Sequence, residues 1–267
     1  MQPAKAIFAL SYITETINEY SKAVQNPHHD QQELLWAKEV LNLYYLSIDA
    51  NLLPFKISTI FQQLNLEKEK VLQFKNVPYP FSDKVVSDVS YQQLITLCQQ
   101  RRSVRWFKPK VVPRVLLEQT VEIATLAPSA CNRQPFIFNI VDRQPLLAEL
   151  ACLPLGTEGF AHNIQCIVVV SGDLSYYPTE RDRHLIYIDS ALACMQFMLA
   201  LETLELSSCV LNWPDIEAKE AKISQLLNLG DSIRPTMLIA VGYAQTDGKI
   251  PYSQKKSAKQ LINYITP

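Results

Sequence analysis

Three guanidinium groups crowd one hydroxyl in the stretch RRSVRWF, where Arg101, Arg102 and Arg105 surround Ser103 in a 267-residue chain of formal net charge -1. The dipole at a helix C-terminus stabilises a cation by about 0.3–1 kcal/mol. That accounts for one or two of the arginines, but not for the serine between them. Guanidinium groups bind phosphate bidentately, and a hydroxyl adds a hydrogen bond to the same oxygens. The segment therefore reads as a holder for a phosphorylated small molecule. A second constellation is LAPSACNRQPF, Leu126 to Phe136. Pro, Ser and Asn there favour an ordinary turn, yet the amides of Asn132 and Gln134 both donate and accept, which suits the polar edge of a heteroaromatic ring. Two such loops converging would make a pocket for a phosphorylated ring system.

Other chemistries have little to stand on. The chain has only 6 glycines, the first at Gly156, and neither G-x-G-x-x-G nor G-x-x-x-x-G-K-[ST] occurs, so any phosphate must be held by side chains rather than a glycine cradle. No G-x-S-x-G elbow is present, and His28, His29, His162 and His184 form no metal-binding pair. Lys+Arg 25 against Asp+Glu 26 leaves no global field to recruit nucleic acid or an anionic membrane. The 6 cysteines are scattered without a C-x-x-C pair and read as small buried hydrophobes. The amino terminus lacks the apolar core of a signal peptide, and no stretch approaches the roughly 18 uninterrupted apolar residues of a membrane span. A cytoplasmic protein is expected.

Stepping outward from these residues, the elements that must hold them are legible. Ser90 and Gln93 form a capping box, with Val89 and Leu94 as hydrophobic staple, that starts a helix through YQQLITLCQQ and places the arginines at its exit. Pro113 opens a second helix in the first helical position and Pro128 stops it. Residues 135–141, 165–171 and 235–243 read as strands, 184–204 as a long buried helix, and a shorter helix follows Pro214. Ahead of them, helical periodicity covers 4–24, 31–53 and 57–74, and VPYPFSDK (77–84) reads as a linker.

Taken in order, RRSVRWF, APSACNRQPFIF, IDSALACMQFMLALETLELSSCVLNW and IRPTMLIAVGYA resemble the FMN-dependent nitroreductase family over residues of about 88–262. The resemblance implies an α+β fold with a central, mostly antiparallel sheet flanked by helices, in an intertwined homodimer that holds FMN at the subunit interface. It implies a domain at 88–267 that binds FMN, preceded by a helical extension at 1–87. Carried over, Arg101, Arg102, Ser103 and Arg105 contact the FMN phosphate, ribityl chain and pyrimidine side. Pro128, Ser129, Asn132 and Gln134 form the second cofactor loop. Leu211 and Asn212 run beside the ring, and Lys255 or Lys256 falls where the family has a late cation on the phosphate.

The implied activity is hydride transfer from NADH or NADPH through FMN to a small organic acceptor, by ping-pong kinetics, with Arg105 or Arg101 favouring the reduced ring. LELSSCVLNW departs from the glycine-rich turn usual after the long helix. The same fold hosts azoline oxidation and dehalogenation, and a non-enzymatic FMN-binding or scaffold module is the alternative of a different class.

Overall fold

A computed structural model of the chain describes residues 5–66 and 75–266, and two units separate within it, Met1–Ser87 and Asp88–Pro267. In the first, α1 (Ile13–Gln25), α2 (Gln31–Ser47) and α3 (Phe55–Gln63) contribute Ile13 and Ile17, Leu41 and Tyr44, and Ile57 and Phe61 to one core. Each pair has the three- or four-residue spacing that puts side chains on one helix face. Asp30 caps α2 by accepting the Glu33 N–H at 2.8 Å.

These helices are shorter than their periodicity suggests. Ala9 has φ 60, a left-handed conformation that cannot propagate a right-handed helix, so α1 begins only at Ile13. Ile48 turns extended and ends α2, after which Ala50–Leu52 form a short 3₁₀ turn capped by Asp49. Of the helix expected over 57–74, residues 67–74 lie outside the described residues.

The second unit begins with α4 (Tyr91–Gln100), whose capping box is formed: Ser90 Oγ accepts the Gln93 N–H at 3.2 Å and Gln93 Oε1 accepts the Ser90 N–H at 2.7 Å. There follow α5 (Arg114–Ala124), β1 (Phe136–Val141), α6 (Leu146–Ala151), β2 (Cys166–Asp173), α7 (Leu185–Thr203), β3 (Ser207–Leu211), α8 (Glu217–Leu227), β4 (Ile233–Gly242) and α9 (Ala258–Leu261). Pro113 caps α5 rather than occupying its first turn. The strands form one antiparallel sheet in the order β1-β2-β4-β3, flanked by helices as the α+β resemblance implies.

Central β2 is covered on both faces. Cys166, Val168 and Val170 pack with Leu117 of α5 and with Phe197 and Leu201 of α7. Ile167 and Val169 pack with Leu147 and Leu150 of α6 and Ile223 of α8. Period-two alternation thus sorts one apolar run between two cores. By length and composition Glu180–Thr203 would serve as a membrane span, a possibility that counting uninterrupted apolar residues missed. Much of that apolarity is used against the sheet, and the helix also buries Asp189, Ser190 and Glu202. Tyr187, Ile188, Leu192 and Met195 of α7 stay exposed.

Candidate functional site

The arginine segment is fastened to the β3 edge. Val104 donates its N–H to the Ser208 carbonyl at 3.0 Å, and Phe107 bridges to Ala244 while donating its own N–H to Asn163 Oδ1 at 2.8 Å. Val104 and Phe107 are buried with the sheet core, while Arg105 between them is half-buried and Trp106 is exposed. Arg105 lines a cavity of about 410 Å³ with Leu155, Gly156, Thr157, Phe160 and the β3 end, Cys209 to Asn212. A larger cleft of about 490 Å³ between α1 and α2 is lined by Tyr20, Trp36, Val40 and other side chains that include no arginine. Another cavity of about 490 Å³ takes in Arg183 and Arg234 but also Asp215, Glu217 and Glu220, carboxylates that would repel a phosphate, so chemistry favours the smaller cavity.

Of the motif's polar residues only Arg105 lines this cavity, and Arg101, Arg102 and Ser103 do not; the motif's polar groups are incompletely partnered. Among the described residues, ion pairs involve Lys22, His29, Arg114, Arg143, Arg181 and Arg183, and none involves Arg101, Arg102 or Arg105. The Arg105 guanidinium lies 5.9 Å from the Phe160 ring centroid, and Arg102 Nη1 donates to the Arg101 carbonyl at 3.3 Å. Arg101 Nε and Ser208 Oγ are buried without a hydrogen-bond partner, which ordinarily carries a desolvation cost of about 1–3 kcal/mol per group. Burial pushes the Cys209 thiol up, while the Arg105 charge and a hydrogen bond with Ser103 pull it back, so both motif residues crowd the start of β3. Unpaired guanidinium groups with a hydroxyl among them fit a phosphorylated ligand such as FMN. Arg101 differs from Arg105 in having a carboxylate near it. Burial raises Glu202, opposed by a hydrogen bond from Gln100 and the Arg101 charge.

Leu211 and Asn212 share this cavity with Arg105; Lys255 and Lys256 do not line it and stand exposed on the chain after β4. The amide loop is elsewhere too. It leads into Phe136, which pairs with Gly172 and through it with Arg234, whereas Ser208 pairs with Val241. From Arg234 to Val241 is about 23 Å along the strand, and the edge strands β1 and β3 are about 14 Å apart. Arginines and amides occupy diagonal corners of the sheet, so the expected convergence does not occur within one chain.

The loop has its own internal order. Cys131, Asn132 and Gln134 have φ 54, 54 and 48, left-handed conformations that cost a non-glycine residue about 1–2 kcal/mol each. Ser129 Oγ accepts the Gln134 N–H at 3.0 Å and closes the turn, with Pro128 just before it. Cys131 is exposed there, as are Cys98 and Cys152, so half the cysteines depart from the buried expectation. Burial pushes Cys166 and Cys194 up to about 12, which leaves those thiols inert near neutrality.

Sequence reasoning missed the segment Leu155–Phe160. Its signal is a pair of glycines, Gly156 and Gly159, in a chain with only 6; Gly156, at φ 81, takes a turn conformation open to glycine. The Leu155 N–H donates to the Asn212 carbonyl at 3.0 Å, which ties this wall of the cavity to the end of β3.

Comparison with known proteins agrees with this architecture. A protein of Archaeoglobus fulgidus with the provisional name NADH dehydrogenase/NAD(P)H nitroreductase is 26% identical over 159 residues, 58% of this chain and 88% of that protein. A solved nitroreductase family protein of Streptococcus pneumoniae has a TM-score of 0.57 at 22% identity, covering 64% of this chain and 100% of its own. An FMN-dependent nitroreductase of Clostridium difficile has a TM-score of 0.55 at 21% identity, covering 64% and 99%. Two overlapping stretches, 98–154 and 148–243, match the Nitroreductase family profile. Together they span more than half the sequence and take in the arginines, the amide loop and every strand, so the chain belongs to the Nitroreductase family.

Proposed function

We propose that the chain is an FMN-dependent NAD(P)H oxidoreductase acting as a homodimer, with 88–267 as the FMN-binding domain and 1–87 as a helical extension. The observation that carries this reading is the arginine cluster: three cations without ion-pair partners among the described residues, of which Arg105 lines an open cavity, with buried Arg101 Nε and Ser208 Oγ unsatisfied. When bound, FMN supplies the redox chemistry, taking hydride from NADH or NADPH and delivering it to a small organic acceptor in ping-pong fashion. Arg101, Arg102, Ser103 and Arg105 hold the phosphate, the ribityl chain and the pyrimidine edge, and a cation at that edge stabilises negative charge developing there. Leu211 and Asn212 flank the ring.

The diagonal separation of the two constellations favours a site shared between copies. The arginines of one copy and Pro128, Ser129, Asn132 and Gln134 of the other would bracket one cofactor, and Lys255 or Lys256 would reach the phosphate from an exposed arm. Tyr252, Tyr264 and Ile265 on that arm are 87%, 84% and 88% exposed. With the exposed side chains of α7 they supply the apolar surface that a second copy buries.

The deciding experiment measures flavin content of the purified chain, then titrates it anaerobically with NADH and NADPH. Bleaching of bound FMN by either supports the enzyme. Bound flavin that neither reduces rejects the nicotinamide donor, and a chain that takes up no FMN rejects the cofactor reading in favour of a scaffold.

A further inference from the structure

We propose that Asp189 is a positioning residue for the amide loop, anchoring the Ala130 N–H and the Tyr177 hydroxyl on one carboxylate oxygen. This rests on the reading of 128–134 as a cofactor loop. Asp189 lies on α7 and is 3% exposed. Its Oδ2 accepts the Tyr177 hydroxyl at 2.6 Å and the Ala130 N–H at 3.1 Å.

A buried carboxylate is costly unless it is paired or well hydrogen-bonded, and among the described residues no cation pairs with this one. Apart from the adjacent Ser190, its neighbourhood on α7, LIYIDSALACM, is largely apolar, where a hydrophobic residue would pack without that cost. The two donors account for its presence. Both belong to segments that need holding: Ala130 begins the turn in which Cys131, Asn132 and Gln134 are left-handed, and Tyr177 ends a short 3₁₀ turn, Leu174–Tyr176.

A second tie runs between the same two segments. Arg133 Nη1 donates to the Tyr176 carbonyl at 2.6 Å, and its guanidinium lies 5.3 Å from the Tyr177 ring centroid. Burial, reinforced by the bond to Asp189, holds the Tyr177 phenol above the ordinary tyrosine range, so it stays a donor at neutral pH. The loop is thus fixed to α7 and to the 174–177 turn at separate points. Asn132 and Gln134, which are exposed, are presented by a frame that Asp189, Tyr177 and Arg133 hold in addition to the turn's own bonds to Ser129.

The test uses the full chain as Tyr177→Phe and Asp189→Asn, with two readouts. Backbone amide exchange at Ala130 and Gln134 is followed without cofactor, against the β2 amides Val168 and Val170 as internal reference, and the FMN dissociation constant is measured by fluorescence. Expected is exchange at Ala130 and Gln134 about tenfold faster or more with β2 unchanged, and FMN binding weakened about tenfold, the equivalent of one lost hydrogen bond to a charged group. Unchanged loop exchange in a folded variant overturns the proposal, and so does acceleration that spreads equally to β2. If Asp189→Asn does not fold, Tyr177→Phe, which deletes a single hydroxyl, decides. A wild-type chain that binds no FMN sinks the cofactor reading alone, and amide exchange still judges the anchor.

Discussion

Replacing Arg105 with alanine separates what the residue does for the fold from what it does for the ligand. Its guanidinium lies 5.9 Å from the Phe160 centroid and has no ion-pair partner among the described residues. In the free protein the substitution removes one cation–π contact, worth about 0.5–1 kcal/mol, so the melting temperature falls by only about 1–4 °C. In the FMN complex proposed above it would also remove a charge-assisted hydrogen bond to the ligand, worth about 1.5–3 kcal/mol. The FMN dissociation constant should then rise by about 10- to 150-fold.

Arg114→Ala is the matched control, because it changes the charge equally while that guanidinium is already committed to Asp142, with Nε and Nη2 at 2.9 and 2.8 Å from its oxygens. Any effect of net charge on a phosphorylated ligand is shared by the two variants and cancels between them. The assay is fluorescence titration of FMN with each folded variant, alongside circular dichroism melting. Equal dissociation constants for Arg105→Ala and Arg114→Ala would refute the placement of the ligand at the arginine cluster.

Three further outcomes follow from the same structure. A methyl added at Gly172 would stand 2.5 Å from Ile186 Cβ, an atom fixed to the α7 backbone, so Gly172→Ala should lose about 1–3 kcal/mol in urea unfolding; full stability would show that α7 slides freely on β2. Hydrogen bonds from Arg114 hold the Asp142 carboxyl below its ordinary range, against burial. The unfolded chain therefore binds that proton more tightly, and the contribution is complete above the unfolded value of about 4 and vanishes as pH falls through the depressed folded value. Arg114→Ala should melt below wild type near neutrality, with the gap closing in acid; a gap of constant size across that range would contradict the assignment. Finally, Leu192→Glu places a charge on the exposed apolar side of α7 and should shift the chain from dimer to monomer in light scattering, with FMN affinity falling in parallel. Monomeric wild type would remove the shared site.

Legibility in the sequence followed the range of the interaction. The capping box at Ser90 and Gln93 and the helix exit at Arg101 lie within a few residues of their causes, and both stand in the structure. So do β1, β2 and β4, which are apolar runs bounded by turn residues. By contrast β3 is five residues beginning with two serines, SSCVL, and α6 spans six, too short in each case for a period to show. Asp189 gave no signal of its own within the long apolar helix, since its partners Ala130 and Tyr177 are remote in the chain. The wall at Leu155–Phe160 offered only Gly156 and Gly159.

By itself, then, the sequence determined where the cations of RRSVRWF lie relative to a helix exit, most helix starts and stops to within a residue or two, and an order of motifs that matched a family. Whether Arg105 would face Asn212 or Asn132 was beyond it. Local propensity acts within a turn or a strand, whereas the order β1-β2-β4-β3 depends on which apolar faces meet across the whole domain. Only that order seated the arginines on the β3 edge and sent the amide loop to the opposite corner of the sheet.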